Sequence, residues 1–553
     1  MNLHAYLDDC AARYNPTMRM LGVTWNGPGY HTRVPNGTWV HPTRQSLDYV
    51  LALLQSGAPD QTARAADIID AVLALQDVDP TNRTYGIWPW LGEEPLSEMA
   101  PPDWNWADFC GARLAQMLAD HSALLPVDLT HAMRVALGHA AWSIFRRNVG
   151  PGYTNIAIMG AGVALAAGEL LDEPRLLEYG RARLRRFIEH TAYHGGLNEY
   201  NSPTYTIVAL HECERILHLV HDPQARADTE AIRRIAWETI AEHFHPPTRQ
   251  WAGPHSRVYG DRLDAGTAAY LEAQTSVVIV PHPSAAPESR TGPTHVPALP
   301  CPPDLVERFR QMPASPLEIR RRFIRRAEGE ASLEGITWMD ELACLGSVNQ
   351  ESLWTQRRPL VAYWRTADDP AVVLRARFLR DGKDFATAAI QSVQQGARVL
   401  SAIGLYTDRG DYHLHLDRPA SGRFPPAELR LRVELRGIGV QGRQLAPELY
   451  ELAAGERRAV LHTLPGSFGA NPVRWELTRL PDGIAVDAIC AEADDGALDP
   501  ATTSVRLAFG LEILAPGESP TPPPRLNDGV TAAEIGWAGL RLTLPAHAVP
   551  YPW

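Results

Sequence analysis

Residues 195–206 read GGLNEYNSPTYT and crowd Asn198, Glu199, Tyr200, Asn201, Ser202 and Tyr205 around one proline between two long helical patterns. Part of this is a helix start. Ser202 or Asn201 can accept a bond from a free backbone N–H, and Pro203 falls in the first turn, where its missing donor costs little. A cap needs only one such group. The surplus, a carboxylate, two phenols and further amides ahead of a helix N-terminus, suits a site for a polar substrate. Two other stretches offer the same chemistry: GPGYTNIAIMGAG sets Asn155 at the start of a Gly- and Ala-rich helix, and WAGPHSRVYGDRL follows a helix end with His255, Arg257, Tyr259 and Asp261. Each residue also has an ordinary role open to it: an N-cap for Asn155, partial burial with one hydrogen bond for Tyr200 and Tyr205, ion pairing or backbone bonding for His255 and Arg257. A phenol titrates near ~10, so a phenolate base needs a cationic neighbour, and Arg257 is the best-placed one by sequence.

Aromatic residues add a second signal. YGIWPWLGEEPLSEMAPPDWNWADFCG holds Trp88, Trp90, Trp104 and Trp106, with Asp103, Asn105 and Asp108 between them, in a partly loop-like segment. Flat rings outside a regular core pattern serve as sugar platforms, with core packing as the alternative for each. Further on, YHLHLDRP reads as a strand in which His413, His415 and Asp417 share one face by period two, a geometry for sugar contacts or for a divalent metal. SLWTQRRPLVAYW adds Gln356, Arg357 and Arg358 at a strand start.

The elements that must position these groups fall into two kinds. From about residue 42 to 280, segment after segment shows helical periodicity with start and stop residues, as in PTRQSLDYVLALLQSG, which begins at Thr43 and ends at Gly57. At least eight such helices joined by short connections pair into antiparallel hairpins, making a bundle or a closed ring. A proline-rich stretch, VPHPSAAPESRTGPTHVPALPCPPD, then breaks the pattern. The basic run LEIRRRFIRRAEG is expected to be a solvated helix face. From about 335 onward, short alternating segments between Gly, Pro and Asp turns predict nine or more strands, hence an antiparallel sandwich. The expected domains are 1–280, a connection with a short helix over 281–334, and 335–553.

Composition narrows the function. The chain has 553 residues, 45% hydrophobic and 21% charged, with no apolar run approaching a membrane span. A net charge of −12 argues against general nucleic-acid binding. Two aspartates interrupt the N-terminal segment where a signal peptide needs an apolar core, so a cytoplasmic location is expected. The six cysteines lack metal-type spacing, as reduced thiols in a reducing compartment would.

TNIAIMGAG with Asn155, EYNSPTY with its tyrosines, GPHSRVYG, and strands after helices together resemble the heparinase II/III-like polysaccharide lyases. The resemblance covers most of the chain in architecture and these short stretches in residues. YHLHLDRP likewise resembles the His-x-His-x-Asp strand of that family. Where its members commonly carry Asn-His, Ile156 follows Asn155 here. The resemblance implies an N-terminal (α/α) toroid of helical hairpins followed by a C-terminal antiparallel β-sandwich, and β-elimination at a uronic acid without a cofactor. In that reaction a base removes the C5 proton while an acid protonates the oxygen leaving C4, and donors stabilise the carboxylate as it gains enolate charge. Asn155 and His255 are the implied donors, Tyr205 the base or acid, and Tyr200 or Tyr259 the second proton carrier. Trp88, Trp90, Asp103, Trp104, Asn105, Trp106, Asn201, His413 and His415 would contact an acidic oligo- or polysaccharide.

Two rivals stand beside this reading. An (α/α)-ring glycoside hydrolase would use Glu199 as acid and Asp103 or Asp108 as base, a separation of roughly 6.5 to 9.5 Å indicating inversion. A non-catalytic glycan binder would use the tryptophans alone, without need of so many ionisable groups at helix N-termini.

Overall fold

The computed structural model describes residues 3–27, 31–285, 295–406, 422–528 and 532–550. His413, His415 and Asp417 lie outside the described residues. By contact the chain forms two units that interleave in sequence: 1–193, 207–236 and 291–299 make one, while 194–206, 237–290 and 300–553 make the other. The segments 194–206 and 251–261 thus belong to the same unit as the strands.

The first unit is built from helices. They are α1 (Leu3–Arg13), α2 (Thr43–Ser56), α3 (Pro59–Leu73), α4 (Trp106–His121), α5 (Val127–Arg147), α6 (Thr154–Leu170), α7 (Pro174–His194), α8 (Tyr205–Leu219) and α9 (Pro223–His243), the last three extending to or across its limits. Helix α2 stops at Gly57, whose φ of 70° lets its N–H reach the Leu54 carbonyl, and α3 starts with Pro59 in its first turn. Hairpin partners α2 with α3 and α4 with α5 pack together, and α2, α4 and α6 pack in series, as α3 does with α5. The sequence explains which row is inner. TNIAIMGAGVALAAGEL is apolar all round, and α6 buries 14 of its 17 residues, whereas the two-faced α5 buries 7 of 21. This alternation of inner and outer helices is the order of an (α/α) toroid.

The second unit is β-rich. Its larger sheet runs, in spatial order, Arg474–Leu480, Gly483–Glu492, Glu428–Arg436, Val372–Arg380, Leu360–Trp364, Ala343–Val348, Leu333–Met339 and Leu317–Ile324, with Lys383–Asp384 beside the Val372 strand. A six-stranded sheet runs Ala388–Gln395, Arg398–Leu405, Ala508–Leu514, Arg457–Thr463, Leu449–Ala454 and Gln441–Ala446. All pairings are antiparallel. Inward residues of both sheets, among them Leu345, Leu374, Val433, Ile403, Leu461 and Phe509, close one apolar core, so the pair is a sandwich. Helix α10 (Ala265–Thr275) starts at Asp264, whose carboxylate accepts the Thr267 N–H.

One expectation is overturned here. LEIRRRFI is the edge strand Leu317–Ile324, not a helix face. Leu317, Ile319 and Phe323 turn to apolar clusters while the arginines point outward, and a bulge between Arg322 and Ile324 breaks strict alternation. That bulge, with three arginines in a row, hid the period of two.

All six cysteines are buried thiols. Among the described residues no helix is long and apolar enough to cross a membrane. Among the same residues, no cluster of three His, Cys, Asp or Glu is set to hold a metal.

Candidate functional site

Ser202 is the cap of α8: its hydroxyl accepts the Tyr205 N–H at 3.0 Å and its carbonyl the Thr206 N–H. Its own O–H donates to the Arg257 carbonyl, which ties the start of the helix to the segment carrying Arg257 and Tyr259. Asn201 makes the same tie more broadly. At φ 43°, a conformation Asn tolerates better than most residues, it donates from Nδ2 to the Ala252 and Pro254 carbonyls at 2.8 Å each and accepts from Trp251 Nε1. Every one of these partners is backbone or core, and Asn201 itself is buried. Its placement is that of a staple, not of a substrate contact.

Tyr205 and the groups around it form the chemical cluster. Its hydroxyl lies 2.8 Å from the Tyr259 hydroxyl. The Arg257 guanidinium stands 4.0 Å from the Tyr205 ring centroid and 4.0 Å from that of Trp354, clamped between two π faces. Arg257 Nη1 donates to Glu199 Oε1 at 2.6 Å and Nε to Gln356 Oε1 at 2.9 Å. Both members of the Glu199–Arg257 pair are buried, while Tyr259 is 36% exposed. Tyr205, Tyr259, Arg257 and Glu199 are therefore brought together, within the unit that holds the strands. Trp354 was not singled out there; its signal was a tryptophan in a polar turn two residues before Gln356.

The electrostatics differ from the expected ones. Burial pushes the Tyr205 phenol well above its usual range; Arg257 pulls it down, but Tyr259 and Glu199 push the same way as burial, and burial wins. Tyr205 is a held proton, not a ready phenolate.

His255 also departs from its expected role. It is buried, pairs through its backbone with Arg358, and its Nδ1 bonds the Asn201 carbonyl at 2.6 Å. A carbonyl only accepts, so Nδ1 carries the hydrogen and Nε2 presents a lone pair. Burial lowers its pKa to about 3. A neutral ring with that tautomer cannot donate to a substrate carboxylate. Tyr200 is likewise withdrawn: it is buried and stacks on Phe323 with centroids 4.2 Å apart, in a cluster with Leu333 and Val348. Arg358 pairs with Asp261, whose carboxyl is held low by Arg358 and Arg375 despite burial. Arg357 spends its guanidinium on the carbonyls of Phe385, Ala386 and Ala388.

In the helical unit the segments before α4 and α6 meet, because Asn105 donates to the Tyr153 hydroxyl at 3.2 Å and accepts from Arg147 at 2.7 Å. Asn155 lies in the first turn of α6 and is buried; the N-cap is Tyr153. Asp103 is committed to Trp90 Nε1 and to the Asn105 N–H. Asp108 is buried at the start of α4 with its carboxyl pushed up to about 7 by desolvation. Trp88 is fully buried with its N–H on the Val72 carbonyl, and Trp90 packs against Trp25 and Trp106. Those two are core residues and not platforms. Trp104 and Trp106 keep partly exposed faces.

A family model described as a domain of unknown function (DUF8769) matches residues 13–295. No curated protein matches the chain. Among solved structures, a chondroitin AC lyase from Streptomyces coelicolor A3 in complex with chondroitin sulphate is similar at 11% identity and a TM-score of 0.49, over 98% of this chain and 83% of that one. A heparinase III is similar at 12% identity and a TM-score of 0.42, over 91% and 82% of the two chains. A second heparinase III, with methylated lysines, stands at 9% identity and 0.34, over 91% and 83%.

Proposed function

We propose a function for this chain, which belongs to the family of the domain of unknown function DUF8769: a polysaccharide or oligosaccharide lyase that cleaves uronate-containing glycans by β-elimination. The observation that carries the reading is the phenol pair Tyr205–Tyr259 beside a guanidinium fixed by Glu199, Gln356 and two rings.

In this reading Tyr205 keeps its proton and donates it as a hydrogen bond to the Tyr259 oxygen, supporting a phenolate there within the field of Arg257. Tyr259, the exposed member, takes the C5 proton. The C5–H electrons form the C4–C5 double bond, the C4–O bond breaks, and the leaving oxygen takes the proton back from Tyr259. One phenol thus serves as base and then as acid on the same face of the sugar. Glu199 holds Arg257 in place and is not itself a proton carrier.

The test is incubation with a panel of uronate-containing glycans while following ultraviolet absorbance of the unsaturated product. New reducing ends without absorbance would replace elimination by hydrolysis.

A further inference from the structure

The last three strands of the sandwich unit, Arg525–Asp528, Ala532–Trp537 and Leu540–Pro545, form an antiparallel sheet of their own. Its register sets Arg525 opposite Gly536 and Gly536 opposite Arg541. Directly opposed residues share a face, so one row reads arginine, glycine, arginine. Two residues along, the next row on that face is Asn527, Glu534 and Thr543. The alternate positions, including Leu526, Ile535, Trp537, Leu542 and Leu544, pack into an apolar cluster with Leu400 and Ala402. The polar face is therefore the outer one, and Arg525, Asn527, Glu534, Arg541 and Thr543 are all exposed on it. These residues and Gly536 line a cavity of about 610 Å³, a size within the roughly 300–1,000 Å³ of small-ligand sites.

Gly536 turns the row into a slot. A Cβ placed there would meet nothing within 4 Å, so the space between the arginines is open. The arginine backbones stand about 10 Å apart, two strand spacings, from which two long side chains can both reach a group a few ångströms wide. Among the described residues neither arginine has an ion pair. Two cations bordering one cavity attract an anion, and the planar fork of Arg suits a carboxylate. Glu534 offsets part of that charge, so the face is no general trap for polyanions. With Asn527 and Thr543 it supplies acceptors and donors for hydroxyls about 7 Å further along the strands, a distance comparable to a sugar ring with its carboxylate.

We propose that this face is a second glycan site that seats one uronate unit, its carboxylate between Arg525 and Arg541 over Gly536 and its hydroxyls on Asn527, Glu534 and Thr543. The ligand class rests on the reading of the chain as an enzyme of acidic glycans; the slot itself does not depend on the phenol pair. Its use would be to hold a long substrate while the reactive unit is processed elsewhere.

Calorimetric titration of the full chain with short oligomers of galacturonate and of glucuronate tests this. The variants are Arg525→Ser with Arg541→Ser, and Gly536→Val, which fills the slot with a residue that strands favour and leaves the charges intact. Urea unfolding confirms that each is folded. The expected result is at least tenfold weaker binding at one site in both variants, with turnover of a short substrate unchanged and KM for a long one raised. Unchanged binding in both overturns the site. Loss in the arginine variant alone also overturns it, since diffuse attraction needs no slot, and so does inorganic phosphate competing as well as a uronate. If no unsaturated product forms but both variants lose uronate binding, the elimination reading fails and the site stands.

Discussion

The Tyr205 and Tyr259 hydroxyls are 2.8 Å apart, and the buried one holds its proton. Only Tyr259, at 36% exposure, can meet a substrate directly. Tyr259→Phe should therefore lower turnover by about 10² or more with folding and KM little changed. Tyr205→Phe removes only the supporting donor, so a smaller loss of turnover is expected. Near-normal turnover in Tyr259→Phe, read by product absorbance, would end the elimination mechanism.

Glu199 and Arg257 are a buried ion pair, and their loss should be asymmetric. Arg257→Leu strands a carboxylate among buried groups, at about 3–5 kcal/mol, whereas Glu199→Gln keeps an acceptor for the guanidinium and should cost roughly 1–2 kcal/mol. Urea denaturation of both variants measures the difference. Equal small losses would mean that the pair is screened. Retained elimination in Glu199→Gln is also expected, against an acid role for that carboxylate.

The helical hairpins and the strand-rich half were legible because burial imposes period: α6 could only be an inner helix, and the sandwich strands alternate between turn residues. The site was legible in part. EYNSPTY and GPHSRVYG stood out by surplus polarity, and they do meet. Their roles were not readable, since these depend on burial and on bonds made across about fifty residues of chain. His255 has the right type for a donor, yet the Asn201 carbonyl fixes its tautomer. Arg257 has the right charge to lower a phenol, yet burial outweighs it at Tyr205. Trp88 looked like a loop aromatic, yet its ring fills the core behind α3.

His255 gives a pH signature. Its folded pKa of about 3 lies below an unfolded value near ~6.5, so the unfolded chain binds the proton first on acidification. Its contribution is complete above pH ~6.5 and declines by about 1.4 kcal/mol per pH unit as pH falls toward 3. Asp108 acts in the opposite sense: its folded value of about 7 exceeds the unfolded one, so acidification from 7 toward 4 adds stability. Urea midpoints at pH 7, 6 and 5 should therefore fall less steeply in His255→Gln than in the parent chain, and more steeply in Asp108→Asn. Parallel curves would show that neither shift exists. Asp108→Asn should also keep elimination, and its loss would give Asp108 a part in that reaction.

Asn201→Ala separates a helix cap from a staple. A cap alone would cost about 1 kcal/mol, but Ser202 is the cap and Asn201 holds three groups at once: the Ala252 and Pro254 carbonyls and the Trp251 indole N–H. Truncation leaves that N–H buried without an acceptor, about 1–3 kcal/mol, and puts alanine at φ 43°, a conformation costing it about 1 kcal/mol more. The expected loss is roughly 3 kcal/mol in urea unfolding. Asn201→Gly accepts the backbone but not the bonds, so it should recover about 1 kcal/mol of that. Because the same bonds set the course of the segment carrying Arg257 and Tyr259, turnover per folded molecule should fall in both variants, whereas a pure cap would leave it unchanged. A loss below 1 kcal/mol with full turnover would show that the segment finds its place without Asn201.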